Sequence, residues 1–194
     1  MVNIINLTCP RCGAAVSTEQ KVCEYCHSPI VISSLSSLNN IDLSKYIQVY
    51  NKGLQSDSSN GMLNTSLAMC YLKLKLYDKA ISHFGIALDN DINNPDIYYY
   101  CCIALLRGKR PYSTPLSNIR QILAYLDAAI SIQDKNIYHS FSAYIKYDYF
   151  ERKFINVTPS YQEEWDIVKN SISQEEIKQL FEELEQEIPV IFKK

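Results

Sequence analysis

Four of the seven cysteines lie near the start of the chain in two Cys-x-x-Cys pairs, Cys9 with Cys12 and Cys23 with Cys26. Pairs at this spacing suit a tetrahedral Zn²⁺ ion, because each pair places two thiolates on one side of the metal. Four thiolates complete the coordination shell and leave no position for water. We therefore expect one structural zinc ion rather than a catalytic one. A redox-active dithiol or a different metal is the alternative.

The two cysteine pairs lie in unequal turns. The first, Cys9-Pro-Arg-Cys12-Gly13, has a proline and a glycine that favour a tight turn, whereas the second pair is followed by His27 instead of glycine. We do not expect His27 to be a ligand, since the four thiolates already form a complete set. Residues 7–32 resemble the zinc ribbons, which are small β-hairpin modules. The resemblance implies a hairpin folded by its metal, and it does not identify a function.

The charge pattern argues against nucleic-acid binding by the ribbon. Residues 1–34 carry two basic and two acidic side chains, and the whole chain has a formal net charge of −2. This stretch contains no basic patch that would neutralise phosphates. We expect the ribbon to bind protein, or nothing.

The composition favours a cytoplasmic protein without catalytic activity. No signal peptide is visible, and the longest apolar run, residues 97–106, is too short for a membrane span. A chain with five glycines shows no glycine-rich phosphate loop, and its three histidines are far apart in the sequence. The chain is rich in Asn, Ile, Lys and Tyr, which is typical of an AT-rich genome and indicates a bacterial source.

The pattern becomes helical after a joint rich in serine and asparagine, residues 33–40, and it then repeats with an offset of 34 residues. Small and aromatic residues of the first unit fall on two helical faces: Leu67, Ala68, Tyr71, Ala80, Phe84 and Ala87. They resemble the signature of the tetratricopeptide repeat, although Asn64 stands where that family usually has tryptophan. The resemblance implies a short α-solenoid. We predict a mostly α fold with a zinc ribbon at 1–34 and a helical repeat domain at 35–194.

The match to the repeat varies along the chain. A helix from about Asp42 to Gln55 forms a half repeat with Asp42 as its N-cap. The second full unit begins at Pro95 and contains an inserted loop, residues 107–118. Residues 136–154 form a degenerate third unit that fits two alignments about equally. In all, we expect seven or eight helices.

The C-terminal helices have clear start signals, because Ser160 with Glu163 and Ser173 with Glu176 each form a capping-box pattern. The last helix is amphipathic and is expected to cap the array, and its apolar stripe contains Ile177, Leu180, Phe181, Leu184 and Ile188. Three further cysteines on predicted helical faces are expected to be buried, and these are Cys70, Cys101 and Cys102.

The resemblance to tetratricopeptide arrays implies that a partner binds in a concave groove lined by the first helix of each unit. The residues carried over to the groove are Met62, Thr65, Met69 and Lys73 from the first unit and Tyr99, Ile103 and Arg107 from the second. We also expect exposed rings among Tyr98, Tyr99 and Tyr100, because three consecutive residues cannot all lie on one buried helix face. Alternatively, the C-terminal helix fills the groove and leaves no free surface.

These features together predict a noncatalytic zinc-binding adaptor that holds another protein or peptide in its helical groove. One alternative is a nucleic-acid-associated regulator that uses the ribbon and the basic residues Arg107, Lys109 and Arg110 of the insertion. Another is a structural subunit of a larger assembly, which includes a homo-oligomer. Residues 161–188 contain nine acidic and two basic residues, so they form either a solvated outer face or a docking face for a basic partner.

Overall fold

The structure is a computed structural model that describes residues 6–17, 20–38 and 42–193. Within these residues the chain forms a small two-stranded sheet and eight α-helices, so the predicted mostly α fold with an N-terminal hairpin is confirmed. The chain divides into two compact units, residues 1–93 and 94–194. The domain boundary proposed between residues 34 and 35 stays a prediction, and the last two residues of the predicted joint lie outside the described residues.

The first unit contains five regular elements: β1 (Asn6–Thr8), β2 (Ala15–Ser17), α1 (Leu43–Leu54), α2 (Gly61–Lys73) and α3 (Tyr77–Asn90). The two strands pair antiparallel with Leu7 opposite Val16, and both of these side chains are buried. Helix α1 starts where the sequence predicts, because the Asp42 side chain accepts the backbone N–H of Ser44 at 3.1 Å.

The segment after the cysteines is joined to the helices by two buried hydrogen bonds. The hydroxyl of Tyr50 on α1 donates to the carbonyl of Ile30 at 2.8 Å. The backbone N–H of Ile32 donates to the Ser66 hydroxyl of α2 at 3.0 Å. Ile30 and Ile32 are themselves buried. The core of the first unit is therefore shared between the N-terminal segment and helices α1 and α2.

Helices α2 and α3 pair through the small residues that the repeat pattern identified. Ala68, Ala80 and Ala87 have no exposed surface, and Phe84 is buried beside them. Small side chains allow the two helices to approach closely, and the aromatic ring fills the remaining space. The predicted helix pair is confirmed.

Asn64, which replaces the tryptophan usual in the repeat, forms a buried polar link instead. Its amide nitrogen donates to the carbonyls of Ser58 and Asn60 at 3.0 and 2.9 Å. Its amide oxygen lies 2.8 Å from Nδ1 of His83 on α3. Because the amide oxygen is an acceptor, His83 carries its proton on Nδ1. Burial also lowers the pKa of His83, as does the charge of Lys79, so its ring is neutral at pH 7.

The second unit contains five α-helices: α4 (Pro95–Leu106), α5 (Leu116–Ile132), α6 (Asn136–Ile145), α7 (Tyr161–Val168) and α8 (Gln174–Glu183). Helix α4 begins with Asn94 as N-cap and Pro95 in its first turn, which is the favoured order for a helix start. It ends at Leu106, and the C-cap residue Arg107 has a φ of 54°, in the left-handed region. Helices α4 and α5 pack against each other, and α5 also packs against α6.

A π-helical turn interrupts the third unit. Helix α6 continues as a π turn over Lys146–Phe150 and then as a 3₁₀ turn over Glu151–Lys153. A π turn adds one residue to the helical period. The helical register of residues 136–154 therefore changes at Lys146. The turn also carries Asp148, whose side chain is fully buried.

The C-terminal helices begin as predicted, since both capping boxes form. Helix α8 buries Ile177, Leu180, Phe181 and Leu184, but it ends at Glu183. The predicted stripe is therefore wrong at Ile188, which lies beyond the helix and is only partly buried. None of the helices among the described residues is long and apolar enough to span a bilayer.

Candidate metal centre and helical surfaces

The structure brings the four N-terminal cysteine side chains together. Sγ of Cys9 lies 3.6 Å from Sγ of Cys26, and Sγ of Cys12 lies 3.7 Å from Sγ of Cys23. All four sulfur atoms lie within 4.8 Å of one another. A disulfide would need about 2.05 Å. Zinc–sulfur bonds of about 2.3 Å in a tetrahedron place the sulfurs about 3.8 Å apart, so the four residues fit a metal ion of this kind.

Both cysteine pairs adopt the same backbone turn. Cys9 N–H donates to the carbonyl of Ala14, and Cys23 N–H donates to the carbonyl of Ser28, both at 2.8 Å. The backbone N–H of the residue after each pair, Gly13 or His27, donates to the backbone carbonyl of the first cysteine in that pair at 2.9 Å. The φ angle is 74° at Gly13 and 55° at His27. His27 thus occupies the left-handed position that glycine occupies in the first turn. Histidine is among the residues enriched there, so the missing glycine does not prevent the turn.

The environment of the sulfur cluster shifts the pKa of individual thiols in opposite directions. A backbone hydrogen bond at Ala14 lowers the pKa of the Cys12 thiol, but burial and hydrogen bonds with the other three cysteines outweigh it and raise that pKa to about 12. Cys9 and Cys23 are buried, Cys12 is exposed and Cys26 is partly exposed. The Ser28 hydroxyl and backbone lower the pKa of the Cys26 thiol to about 6. A thiolate is the form of cysteine that binds metal. The spacing of the four sulfur atoms, rather than any one pKa, allows the cluster to hold a metal ion.

Two residues that the sequence analysis did not single out lie beside this cluster. Ser28 is buried and accepts from the Arg11 guanidinium at 3.5 Å. Tyr46 of α1 is also buried. Burial raises the pKa of its phenol to about 12, the Ser28 hydroxyl counters that rise, and Cys9 and Cys26 add to it. Tyr46 lies within the predicted half repeat, residues 42–55, and no local pattern in the sequence places it beside the cysteines.

The other three cysteines are packing residues, as predicted. Cys70, Cys101 and Cys102 are buried. Burial raises the pKa of the Cys70 and Cys101 thiols to about 12 and that of Cys102 well above its usual range. Neutral, inaccessible thiols are poor nucleophiles and poor metal ligands.

The seven residues expected to contact a partner differ in exposure. Met69, Tyr99 and Ile103 are buried, Met62 and Thr65 are partly exposed, and Lys73 and Arg107 are exposed. Their role in binding stays a prediction.

The expectation of exposed rings in α4 is wrong. Tyr98, Tyr99 and Tyr100 are 8%, 3% and 5% exposed. Within the second unit, Tyr98 contacts Tyr125 of α5, while the hydroxyl of Tyr99 donates to Glu183 at 2.6 Å. Other elements cover α4 on more than one side, so the helix has no single buried face.

One basic residue of the insertion, Arg110, forms an ion pair within the second unit. The guanidinium of Arg110 and that of Arg152 both donate to the buried Asp148 carboxylate, the latter at 2.7 Å. The backbone N–H of Tyr112 donates to the other carboxylate oxygen at 2.8 Å. Arg110 is therefore fixed by its own chain. All three cations considered for nucleic-acid binding, Arg107, Lys109 and Arg110, are exposed, and Arg110 in addition forms the ion pair with Asp148.

A second buried polar cluster joins α6, the π turn and α7. His139 Nδ1 lies 2.7 Å from one oxygen of Glu164, and Lys146 Nζ lies 2.6 Å from the other. His139 Nε2 lies 2.9 Å from Asp134. All but Asp134 are buried, and charges buried in this way are normally paired as here. Sequence reasoning missed this cluster because its members are up to 30 positions apart and form no local motif.

The comparisons with known proteins do not assign this chain to a family. No protein-family model matches the chain. A stretch of 53 residues, 27% of this chain, is 40% identical to BBSome complex member BBS4 from Bos taurus. The chain spans 10% of that protein's length. A solved structure, MamA MSR-1 C2, matches 78% of this chain and 72% of its own length, with 14% identity and a TM-score of 0.49.

Proposed function

We propose that this chain is a noncatalytic, zinc-binding scaffold that holds another protein through its helices. The observation that carries the proposal is the cluster of four sulfur atoms within 4.8 Å, built into a core shared with α1 and α2. A metal in this position orders a surface rather than performing a reaction, because four thiolates leave no coordination site open. The proposed ion therefore has a structural role and not a catalytic one.

Zn²⁺ is the metal that we propose, with Cys9, Cys12, Cys23 and Cys26 as its ligands. Thiolate ligands in a tetrahedral set select zinc over harder cations such as Mg²⁺ or Ca²⁺. The zinc ribbon that residues 7–32 resemble would then be folded by its metal. The separate sulfur atoms are consistent with a reducing, cytoplasmic compartment, which we propose as the protein's location.

Two observations support the scaffold role. The helices of each unit pair through small buried residues, as in repeat arrays that present surfaces to partners. The partial match to a protein named as a member of a complex is compatible with a role in an assembly. In the first unit we propose that Met62, Thr65 and Lys73 on α2 contact the partner, since all three retain exposed surface.

Metal analysis tests the first half of the proposal. Protein purified under reducing conditions is expected to contain one zinc per chain, and Cys12→Ser is expected to lower the zinc content and the thermal stability. Cys101→Ala is the matched control, because that buried cysteine belongs to the second compact unit and is not one of the four proposed ligands. Absence of metal from the wild-type protein after reconstitution with Zn²⁺ overturns the proposal.

Capture from the native cell tests the second half. A tagged chain is expected to retain a defined partner, and Thr65→Arg together with Lys73→Glu is expected to abolish capture without loss of helical content. Lys169→Glu, at the residue directly after α7, is the control, since that exposed residue lies outside the first unit. A partner retained by the double variant contradicts the assignment of α2.

A further inference from the structure

One buried side chain connects the sulfur cluster with the polar groups around it. Ser28 is 3% exposed, and both its hydroxyl and its backbone N–H hydrogen-bond to the Cys26 thiol. In the first cysteine pair the equivalent residue is Ala14, which forms a backbone hydrogen bond with Cys12 and has no hydroxyl to donate. Cys26 therefore has a side-chain donor that Cys12 lacks at the same place.

The contact of Ser28 with Arg11 favours donation of the hydroxyl hydrogen to sulfur. A serine hydroxyl has one hydrogen to donate and two acceptor positions on its oxygen. Nη1 of Arg11 donates to that oxygen across 3.5 Å. Because a guanidinium can only donate, the Ser28 hydrogen has no use on this side. Arg11 therefore favours the orientation in which the hydrogen meets Cys26.

Tyr46 of α1 offers a second donor to the Ser28 oxygen. Its side chain is 2% exposed, and its hydroxyl forms no hydrogen bond of ordinary geometry with any residue that the structure describes. Burial raises the pKa of this phenol, the Ser28 hydroxyl opposes the rise, and Cys9 and Cys26 add to it, so the phenol lies beside the cluster. A buried hydroxyl without a partner costs free energy. Donation to the second acceptor position of Ser28 removes that cost.

The chemistry of the four cysteines creates a need for such donors. Four thiolates around a divalent ion carry more negative charge than the ion neutralises, and two of the sulfur atoms belong to buried residues. Hydrogen bonds to ligand atoms offset this charge, orient the ligands and tune the affinity for the metal.

We propose that Ser28 donates its hydroxyl hydrogen to the Cys26 thiolate when zinc is bound, and that Arg11 and Tyr46 direct this hydrogen by donating to the Ser28 oxygen. Ser28 is thus a positioning residue of the metal site, and Tyr46 connects that site to helix α1. This inference rests on the proposed zinc-binding function.

The absorption spectrum of the full-length chain loaded with Co²⁺ tests the proposal. In a thiolate site Co²⁺ has a sulfur-to-metal charge-transfer band, and a hydrogen bond to sulfur moves this band to shorter wavelength because it stabilises the sulfur electrons. We expect Ser28→Ala to move the band to longer wavelength and to weaken zinc binding by about tenfold or more, measured by competition with a chelator. Tyr46→Phe should cause a smaller shift in the same direction, and no further shift when it is added to Ser28→Ala.

Matched variants separate this role from a loss of packing. Ser66→Ala is the control for Ser28→Ala, because Ser66 is also buried in the first unit but its hydroxyl accepts from the backbone of Ile32. Tyr50→Phe is the control for Tyr46→Phe, because Tyr50 donates to the carbonyl of Ile30. Both controls weaken the core that the metal site shares, so both lower zinc affinity. Neither should move the band of bound Co²⁺.

An unchanged band in Co²⁺-loaded Ser28→Ala overturns the inference, and so does an equal shift in Ser66→Ala. If Ser28→Ala does not fold, Arg11→Met at an exposed position takes its place and should shift the band in the same direction. Lys21→Met, which removes another exposed cation near the cysteines, should not. A further shift when Tyr46→Phe is added to Ser28→Ala contradicts the route through Ser28.

The metal content separates this inference from the proposed function. One zinc per chain in the wild type and the variants, with unchanged Co²⁺ bands, sinks the assignment of Ser28 and leaves the zinc-binding scaffold standing. Wild-type protein that takes up neither Zn²⁺ nor Co²⁺ overturns both.

Discussion

Removal of the metal is expected to loosen helices α1 and α2 as well as the cysteine turns. A module of this size has no independent core, and zinc binding contributes on the order of 10 kcal/mol, which is comparable with the whole stability of a typical domain, about 5–15 kcal/mol. Without metal, no bonds hold the four sulfur atoms together, and the turns open. The contacts of Ile30 and Ile32 with the two helices are then lost.

The size of the effect follows from those contacts. Two hydrogen bonds, from Tyr50 to Ile30 and from Ile32 to Ser66, contribute about 1 kcal/mol each. Burial of the two isoleucine side chains contributes about 2 kcal/mol each. The sum of about 6 kcal/mol corresponds to about a 10⁴-fold change in an opening equilibrium, since about 1.4 kcal/mol is tenfold. Amide protection in α1 should fall by about that factor.

Hydrogen exchange read by mass spectrometry measures this change. The reduced protein is compared before and after treatment with a zinc chelator, and elemental analysis verifies metal loss. Helix α5, which lies in the other compact unit, is the internal control and should keep its protection. Unchanged exchange in α1 of demonstrably metal-free protein would refute the reasoning, because it would show that the shared core does not depend on the metal.

Three further substitutions test other contacts. Asp148→Asn removes the charge that holds Arg110, and we expect the free energy of unfolding, measured with urea, to fall by about 2 kcal/mol. This is less than for a fully buried ion pair, because the Arg110 side chain is 54% exposed. Asn64→Leu leaves His83 and two carbonyls without their partner, and it should lower the unfolding free energy by about 1–3 kcal/mol. Burial raises the pKa of Glu183 in the folded chain above its ordinary value of about 4.5. The free energy of unfolding of the wild type should therefore fall as pH rises from about 4.5 through the folded pKa, and Glu183→Gln should lack that loss.

Each of these substitutions has an exposed counterpart as a control. Glu151→Gln, Asn90→Ala and Glu182→Gln change similar groups on the protein surface and are expected to alter stability by less than about 0.5 kcal/mol. Equal effects of a substitution and its control would contradict the structural explanation. For Glu183 the informative quantity is the difference between the wild-type and variant pH profiles, since other groups titrate identically in both.

Local features were predictable because their causes lie within a few residues. The two Cys-x-x-Cys pairs indicated a metal cluster, and the structure brings the four sulfur atoms together. Asp42, Ser160 and Ser173 marked helix starts, and each accepts a backbone N–H in the first turn. The spacing of small residues identified the α2–α3 pair. Backbone capping and the helical period act over one or two turns, so the sequence shows them directly.

The burial of α4 and the ion pair formed by Arg110 of the insertion were not predictable from local sequence patterns. Burial of Tyr98, Tyr99 and Tyr100 depends on elements that approach α4 from different sides. The ion pair of Arg110 depends on a π turn that brings Asp148 inward. The turn at His27 was not predictable from the sequence either, although its cause is local. His27 adopts the left-handed conformation that Gly13 has in the first turn, because that conformation accepts some residues other than glycine.

The amino-acid sequence by itself determined which four cysteines cluster, where the capped helices start and how neighbouring helices pair. Tertiary structure alone decided which surfaces remain free. Tyr99 meets Glu183 across 84 positions of sequence, and no periodicity within either helix encodes that meeting. The physical reason is that hydrogen bonds within a helix or turn are set by local geometry. Burial, by contrast, is set by which distant segments compete for the same apolar face.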